Sequence, residues 1–547
     1  MRIPGLTLAL ALASLCFVNG LALPGQVAGK TTVIKLEPGE VWWGGAVNEG
    51  HKMPFGSQPY SIDLYGSSFG NQCAPLLVSS KGRYVWSEKP YRFEFRDGSL
   101  TISDAHGTIV TEKAGDSLAD AFRAASSRHF PPSGKMPDPL LFTRPQFNTW
   151  IELVYNQNQA DILKYAHAVV DNGFPPGVLM IDANWQRYYG NFEFKAERFQ
   201  DPKRMVDELH GLGFKVMLWV CPFVSPDSEE YRQLVERKLF LMQGKSGAAT
   251  SWKDAAKPAI IEWWDGYSVV LDFSNPAAVE WFKGQLSNLQ TRYGIDGFKF
   301  DAGDSDYYPE SAVSYGRALP NEQTELFGKI GLDYPLNEFR AMWKMGGQPL
   351  AERLRDKYHT WEDMHKLIPH TFMESLMGYA FNCPDLIGGG DYVSFLNLSS
   401  YDQELVVRSA QCQALMPMMQ FSAAPWRVLD KTRFEAVKRC VDTRQRFVPY
   451  IMELAEKAAR TGEPIVTPLE YYFPNQGYAA IVDEFMLGTR VLVAPVVNQG
   501  QTRRSVILPR GKWKADDGAV YDGGSAIMID APLARLPYFE RQPVPGL

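Results

Sequence analysis

The chain has 547 residues, 45% of them hydrophobic, and its 56 Lys and Arg against 62 Asp and Glu give a formal net charge of −6. Such a chain buries a large core and has room for about three domains, or for one barrel with appendages. The mildly acidic balance argues against a nucleic-acid partner, which requires a concentrated basic face.

At the N-terminus Arg2 precedes the apolar run "LTLALALASLCFV", and Gly20-Leu21-Ala22 offers a small-x-small cleavage site. This pattern predicts a signal peptide over residues 1–22 and export to a periplasm, the cell exterior or a eukaryotic lumen. The run is too short to span a bilayer, and no other stretch approaches about 18 apolar residues, so no transmembrane segment is expected. Of six cysteines, Cys16 falls in the signal, leaving Cys73, Cys221, Cys383, Cys412 and Cys440. An odd count argues against a full disulfide framework and predicts buried free thiols. No Cys pair has metal-ligand spacing, and the eight His form no H-x-H or H-E-x-x-H. No metal and no cofactor is expected.

Residues 23–135 read as a β-sandwich. "TTVIKLEP", "YSIDLYG", "PLLVSS", "RYVWSE", "YRFEFRDGSLTIS" and "GTIVTEK" alternate polar with apolar residues, and "FRDGSL" carries an Asp-Gly hairpin signal. Over residues 136–460 strands alternate with helices. "NQADILKYAHAVVDNG" is a helix, "PPGVLMIDANW" a buried strand, and "DPKRMVDELHGLG" a helix opened by Asp201-Pro202. "FKVMLWVCPF" is the next strand; "SNPAAVEWFKGQL" and "YGIDGFKFDAGD" repeat the unit. Continuous apolar strands in repeated β-α units predict an α/β fold, a (β/α)8 barrel. No G-x-G-x-x-G follows a strand, which argues against a dinucleotide site. Residues 461–547 return to short strands and tight turns, a second β-sandwich.

Barrel active sites lie at the C-terminal strand ends. Asp182 follows "VLMI", Asp272 follows "VVL" and Asp301 follows "FKF"; Asp356 ends "LAERLR" and Asp385 follows "YAFNCP". Asp272 opens "DFSNP" and reads as a helix cap. Lys299 shares a strand face with Asp301, because side chains alternate. Such a buried pair is either structural or working. Paired carboxylates without metal ligands, in an exported and aromatic-rich barrel, point to glycoside hydrolysis.

"GIDGFKFDAGD", "LAERLRDKYHTWEDM", "GYAFNCPDLIGGG" and "DEFMLGTRVLVAPVVNQGQTRRSVILPRGKW", in this order, resemble glycoside hydrolase family 31. The likeness runs from about residue 40 to the end. It implies a retaining exo-acting α-glycosidase with Asp301 as nucleophile and Asp356 as general acid/base. It implies substrate contacts from Asp182, Lys299, Asp304 and Asp385, a floor of Trp219 and Trp150, and Arg353 or Arg340 steering the acid. "WWGGAVNEGHKMPF", residues 42–55, resembles a loop that carries the first β-domain to the site. One departure stands out. Where the family's α-glucosidases carry an Arg and a His, "QALMPMMQFSAAPW" places Gln420 and Ser422. Loss of two hydroxyl partners changes sugar choice, and the most similar branch implies an α-galactoside. α-Glucosidase, α-xylosidase, α-N-acetylgalactosaminidase and a catalytically silent carbohydrate-binding protein stay open. The expected partner is a carbohydrate; the sequence sets no oligomeric state.

Overall fold

The computed structural model describes residues 31–56, 58–244, 251–397 and 401–543. The expected signal peptide lies outside them. Eight parallel strands form the central ring: β1 (Gln146–Asn148), β2 (Val178–Ile181), β3 (Lys215–Val220), β4 (Gly297–Phe300), β5 (Asn337–Phe339), β6 (Glu352–Arg353), β7 (Asn382–Cys383) and β8 (Gln420–Phe421). Each pairs with the next in the chain from β1 to β7, and β8 pairs with β1. A parallel bridge between Leu386 and Gln420 brings β7 onto β8, with the Ile387 N–H donating to the Gln420 carbonyl at 2.9 Å.

The helices form where the capping chemistry says they should. Asn158 caps Gln159–Asp171, Asp201 caps Pro202–Gly211, and Asn275 caps Pro276–Tyr293, each accepting from a first-turn N–H. Asp272 is therefore not the cap expected of it. Fully buried, it accepts from the N–H and hydroxyl of Ser274, the Tyr315 N–H and the Gln323 amide, so it ties a turn to a neighbouring helix. Alternation along β4 turns Phe298 and Phe300 towards Tyr334 and Phe327, at centroid distances of 5.1 and 5.7 Å. Lys299 then points into the lumen, in register with Trp219 on β3 and Glu338 on β5. The described helices include none long and apolar enough to cross a membrane.

The N-terminal region pairs two sheets. One runs Thr32–Lys35, Ser99–Ser103, Arg92–Arg96, Tyr60–Asp63; the other contains Trp42–Ala46, Gln72–Ser79, Arg83–Trp86 and Val110–Lys113. Asp97 and Gly98 both take positive φ, +50° and +69°, which is the tight hairpin that Asp-Gly predicts. Residues 23–135 are not all strand, however. Leu118–His129 is a helix, opened by a capping box in which Ser117 and Asp120 satisfy each other's backbone N–H. The barrel adds a strand, Met342–Trp343, to the second sheet by parallel pairing with Gln72 and Cys73. At the C-terminus a six-stranded and a two-stranded sheet share a core around Trp513 and Phe539. The five described cysteines are free and buried.

At the end of the ring opposite the catalytic one, the long helix Lys431–Thr461 contributes Arg444. Its buried guanidinium donates to the carbonyls of Phe142, Ala414, Met416 and Pro417, the segments that lead into β1 and β8. Burial pulls its pKa down to about 10, since only carbonyls hold its charge there. Arg444→Leu is expected to cost about 3–5 kcal/mol, as buried acceptors lose a charged donor. Urea unfolding of the variant against the parent chain checks this.

Candidate active site

The acids expected at the strand ends converge. Asp301 follows β4 directly and is 7% exposed. Its Oδ1 accepts from Arg340 Nε at 2.8 Å and from the Ala302 N–H at 2.9 Å; its Oδ2 accepts from Trp219 Nε1 at 2.9 Å. Burial opposes its charge, but Arg340, Lys299 and Arg353, with the Trp219 hydrogen bond, outweigh burial and hold it well below the usual carboxylate range. Trp219 is thus a buried brace for the carboxylate. Lys299 donates to Asp182 Oδ2 at 2.7 Å, and the Ala183 N–H occupies Asp182 Oδ1 at 2.8 Å. The direct partner of Lys299 is therefore Asp182, and its effect on Asp301 acts through space.

Arg340 stands at the end of β5 and grips two acids. Besides Asp301 it donates through Nη1 to Asp304 at 2.9 Å, and through the same nitrogen to the Gly70 carbonyl at 2.6 Å. Asp304, 2% exposed, is turned to Arg340, and burial raises its pKa. Arg353, at the end of β6, is 1% exposed and shared among three acids. Its Nη1 donates at 2.8 Å to both Asp356 Oδ1 and Asp385 Oδ1, and its Nε lies 3.2 Å from Glu338. Asp385 is sealed from solvent, with its other oxygen taken by the Lys357 N–H at 2.8 Å. Arg353 and the Lys357 N–H thus take one Asp385 oxygen each. Burial pushes it up to about 7 against the pull of Arg353. Asp356 is different. The protein crowds it from below, yet 46% of its side-chain surface is open, and Arg353 and Lys299 overcome burial to keep its pKa low.

Gln420 and Ser422 lie away from the opening. Gln420 is fully buried in the lumen, donating to Gln146 Oε1 at 2.9 Å and to Glu338 Oε2 at 2.5 Å. Ser422 Oγ accepts from the Ile151 N–H at 2.8 Å. Both side chains tie the two-residue strand at the ring's closure, Gln420 through its amide nitrogen and Ser422 through its hydroxyl. Trp150 is half-buried, donates to the Gly390 carbonyl at 3.0 Å, and meets Tyr155 and Tyr392 edge-on at 5.4 and 5.5 Å.

Two features escaped the sequence reading. Trp264, 46% exposed, sits on the hairpin turn between Ile260–Trp263 and Gly266–Val270, with the Arg340 guanidinium 5.3 Å from its ring. The signal was present in "WWDG", an aromatic pair at a hairpin turn. The second is the loop by which the first β-domain reaches the site. Residues 42–55 instead pack on the barrel helix Leu367–Leu376, so closely that a Cβ on Gly50 would stand 2.6 Å from the Pro369 carbonyl. The reach is made by residues 67–72. There Asn71 Nδ2 donates to the carbonyls of Arg340 and Arg353, and Gln72 Nε2 to that of Arg353. Among the described residues no group of three or more His, Cys, Asp or Glu is placed to hold a metal ion.

Barrel, flanking sheets and carboxylate cluster define a glycoside hydrolase. The chain belongs to glycosyl hydrolase family 31: residues 139–327 match the family's TIM-barrel domain and residues 462–543 its C-terminal domain. It is 32% identical over 532 residues to the myogenesis-regulating glycosidase of Mus musculus, covering 90% of this chain and 73% of that protein. It is 30% identical to the SITS-binding protein of Tetronarce californica, covering 58% of this chain and 46% of that one. The Flavobacterium johnsoniae family 31 dextranase complexed with glucose superposes with a TM-score of 0.81 at 18% identity, over 95% of this chain and 67% of that one. Family members hydrolyse α-glycosides, and relatives of 23–24% identity include an α-glucosidase and an α-xylosidase.

An acid whose pKa is raised on folding binds its proton more tightly in the folded chain. Stability from Asp385 is therefore present below about pH 4 and is lost as pH rises from there through about 7. Asp385→Asn, which cannot ionise, is expected to flatten that fall. Unfolding midpoints of both proteins across this range check it.

Proposed function

We propose that the chain is a retaining, exo-acting α-glycosidase that prefers α-galactosides. The observation that carries the reading is the asymmetry of two carboxylates around Arg353. Asp301 is buried and held ionised by Arg340, Trp219 and the Ala302 N–H, as a nucleophile must be. Asp356 keeps 46% of its side-chain surface open to solvent, as an acid that meets a leaving group must.

In this reading Asp301 attacks the anomeric carbon as Asp356 gives a proton to the glycosidic oxygen, leaving a covalent glycosyl-enzyme. Asp356 then takes a proton from water, which releases the sugar and restores both carboxyls. In the resting site Asp356 is ionised against Arg353, and the raised pKa belongs to Asp385. Asp356 acquires its proton on leaving Arg353, whose charge then falls wholly on Asp385 and Glu338. Asp182 and Lys299 act together on the sugar hydroxyls, each ordering the other. The galactoside preference is supported by the Met418–Trp426 segment, which contains neither Arg nor His and whose polar side chains, Gln420 and Ser422, are buried in hydrogen bonds to the protein. Arg2, the apolar run after it and Gly20–Ala22 support export as part of the same reading.

Hydrolysis of aryl α-galactoside, α-glucoside, α-xyloside and α-N-acetylgalactosaminide tests it. Galactoside turnover is expected to exceed the others and to vanish in Asp301→Ala. Glucoside preference overturns the sugar assignment; turnover that survives Asp301→Ala overturns the nucleophile. A second expectation concerns pH. Arg340 lowers the pKa of Asp301, so Arg340→Met is expected to move the acid limb of kcat/KM upward by about one unit or more. A pH profile of the variant checks this.

A further inference from the structure

Two residues before Arg340 on β5, Glu338 lies deeper in the lumen, in register with Lys299 on β4 and 1% exposed. A carboxylate at that depth is costly unless donors and cations hold it. Burial raises its pKa, and Arg353, Lys299 and the Gln420 amide pull it back, with Asp182 opposing them. Its charge is also felt by Glu352 and by the Cys383 thiol. The two oxygens are engaged differently. Oε2 accepts from the Gln420 amide at 2.5 Å. Oε1 lies 3.2 Å from Arg353 Nε, close enough for an ion pair, yet neither atom has a hydrogen-bond partner, and both are sealed. At that distance an N–H and a carboxylate oxygen miss their bond through angle alone. The other edge of the same guanidinium is committed: Nη1 donates to the Leu354 carbonyl at 3.0 Å and to Asp356 and Asp385 at 2.8 Å.

We propose that Glu338 is a positioning residue for the acid step, the seat onto which Arg353 turns when substrate draws Asp356 away. The inference rests on the acid/base reading of Asp356 above. Once the Asp356 contact is broken, the guanidinium is free to make the small rotation that aligns Nε with Glu338 Oε1. The hydrogen bond then formed is buried and charge-assisted, and it offsets the one given up. Asp356 parts from its counter-ion at little cost and holds a proton for the glycosidic oxygen. Gln420 fixes the other oxygen of Glu338, so the seat stays in place and the arginine is the part that moves.

The test compares 4-nitrophenyl and methyl α-glycosides of the sugar that the parent chain turns over fastest. Nitrophenolate leaves with little help from an acid, whereas methoxide needs it, so a fault in the acid step shows on the methyl glycoside. Glu338→Gln keeps the shape and removes the charge. It is expected to lower kcat/KM for the methyl glycoside about tenfold or more and to leave that for the nitrophenyl glycoside within about threefold. With its seat gone, Arg353 stays on Asp356 and lowers its proton affinity. The basic limb of kcat for the methyl glycoside is therefore expected to move down by about one pH unit. Equal loss on both substrates, or an unmoved limb, is the mark of a merely structural residue and overturns the inference. Should Glu338→Gln fail to fold, Glu338→Asp keeps the charge but withdraws it from Arg353, and the same selective loss is expected; equal loss there overturns the inference too. Asp356→Ala separates this inference from the reading beneath it. Selective loss on the methyl glycoside in Asp356→Ala, without it in the Glu338 variant, overturns this inference alone. Equal loss in Asp356→Ala, or no turnover by the parent chain, overturns the acid/base reading, and this inference falls with it.

Discussion

Two buried guanidinium groups govern this molecule. Arg340 and Arg353, with Lys299, face six carboxyls: Asp182, Asp301, Asp304, Glu338, Asp356 and Asp385. Three cations cannot hold six carboxyls equally ionised around a low-dielectric lumen, so their proton affinities differ. The site distributes them unevenly. Asp304, Glu338 and Asp385 are pushed up by burial, whereas Asp301 and Asp356 are kept low by the arginines. A site of separated proton affinities is what acid/base chemistry on two carboxyls requires.

The arginines hold their places because the fold leaves them no alternative. Between β5 and β6 the described chain makes no helix; it runs out as Met342–Trp343 and joins a sheet of the N-terminal region. That excursion brings Arg340 and Arg353 to either side of the 67–72 loop, whose Asn71 binds both their carbonyls. The N-terminal region is thus part of the active site's frame. Asn71 and Gln72 are fully buried, and each amide is spent on backbone or on Glu352. A loop of small polar residues thereby fixes two long cationic side chains at their roots, which lowers the entropy lost in ordering them.

Much of this was legible in the sequence, for identifiable reasons. A strand that ends in Asp after alternating Phe-Lys-Phe places both its lumen face and its catalytic end, and the Asn and Asp caps with Pro at N1 mark the helix starts. The rest depended on pairings across hundreds of residues. Nothing local in "SSFGNQ" says that its amides will meet Arg340 and Arg353. Nothing local separates Gln420, locked to Glu338 in the lumen, from a residue at the opening, because one step along a strand reverses its facing. The helix at Leu118–His129 was legible in principle: Ser117 and Asp120 stand at capping-box spacing, but the preceding run of strands masked them. Lys299 shows the limit of facing alone. It shares a face with Asp301, yet its hydrogen bond goes to Asp182 on the next-but-one strand, since a long side chain reaches across the lumen.

Arg353 also couples two of the carboxyls to each other. While it is shared between Asp356 and Asp385, it favours the ionised form of both, and burial decides that Asp385 yields first. On the proposed reading, a ligand that draws Asp356 away from Arg353 removes the main force keeping it ionised and leaves Arg353 to Asp385 and Glu338. Proton affinity then rises on one carboxyl and falls on the other without any distant group moving. On the proposed reading, the same guanidinium that keeps the resting site charged lets substrate binding place the proton where the leaving group needs it.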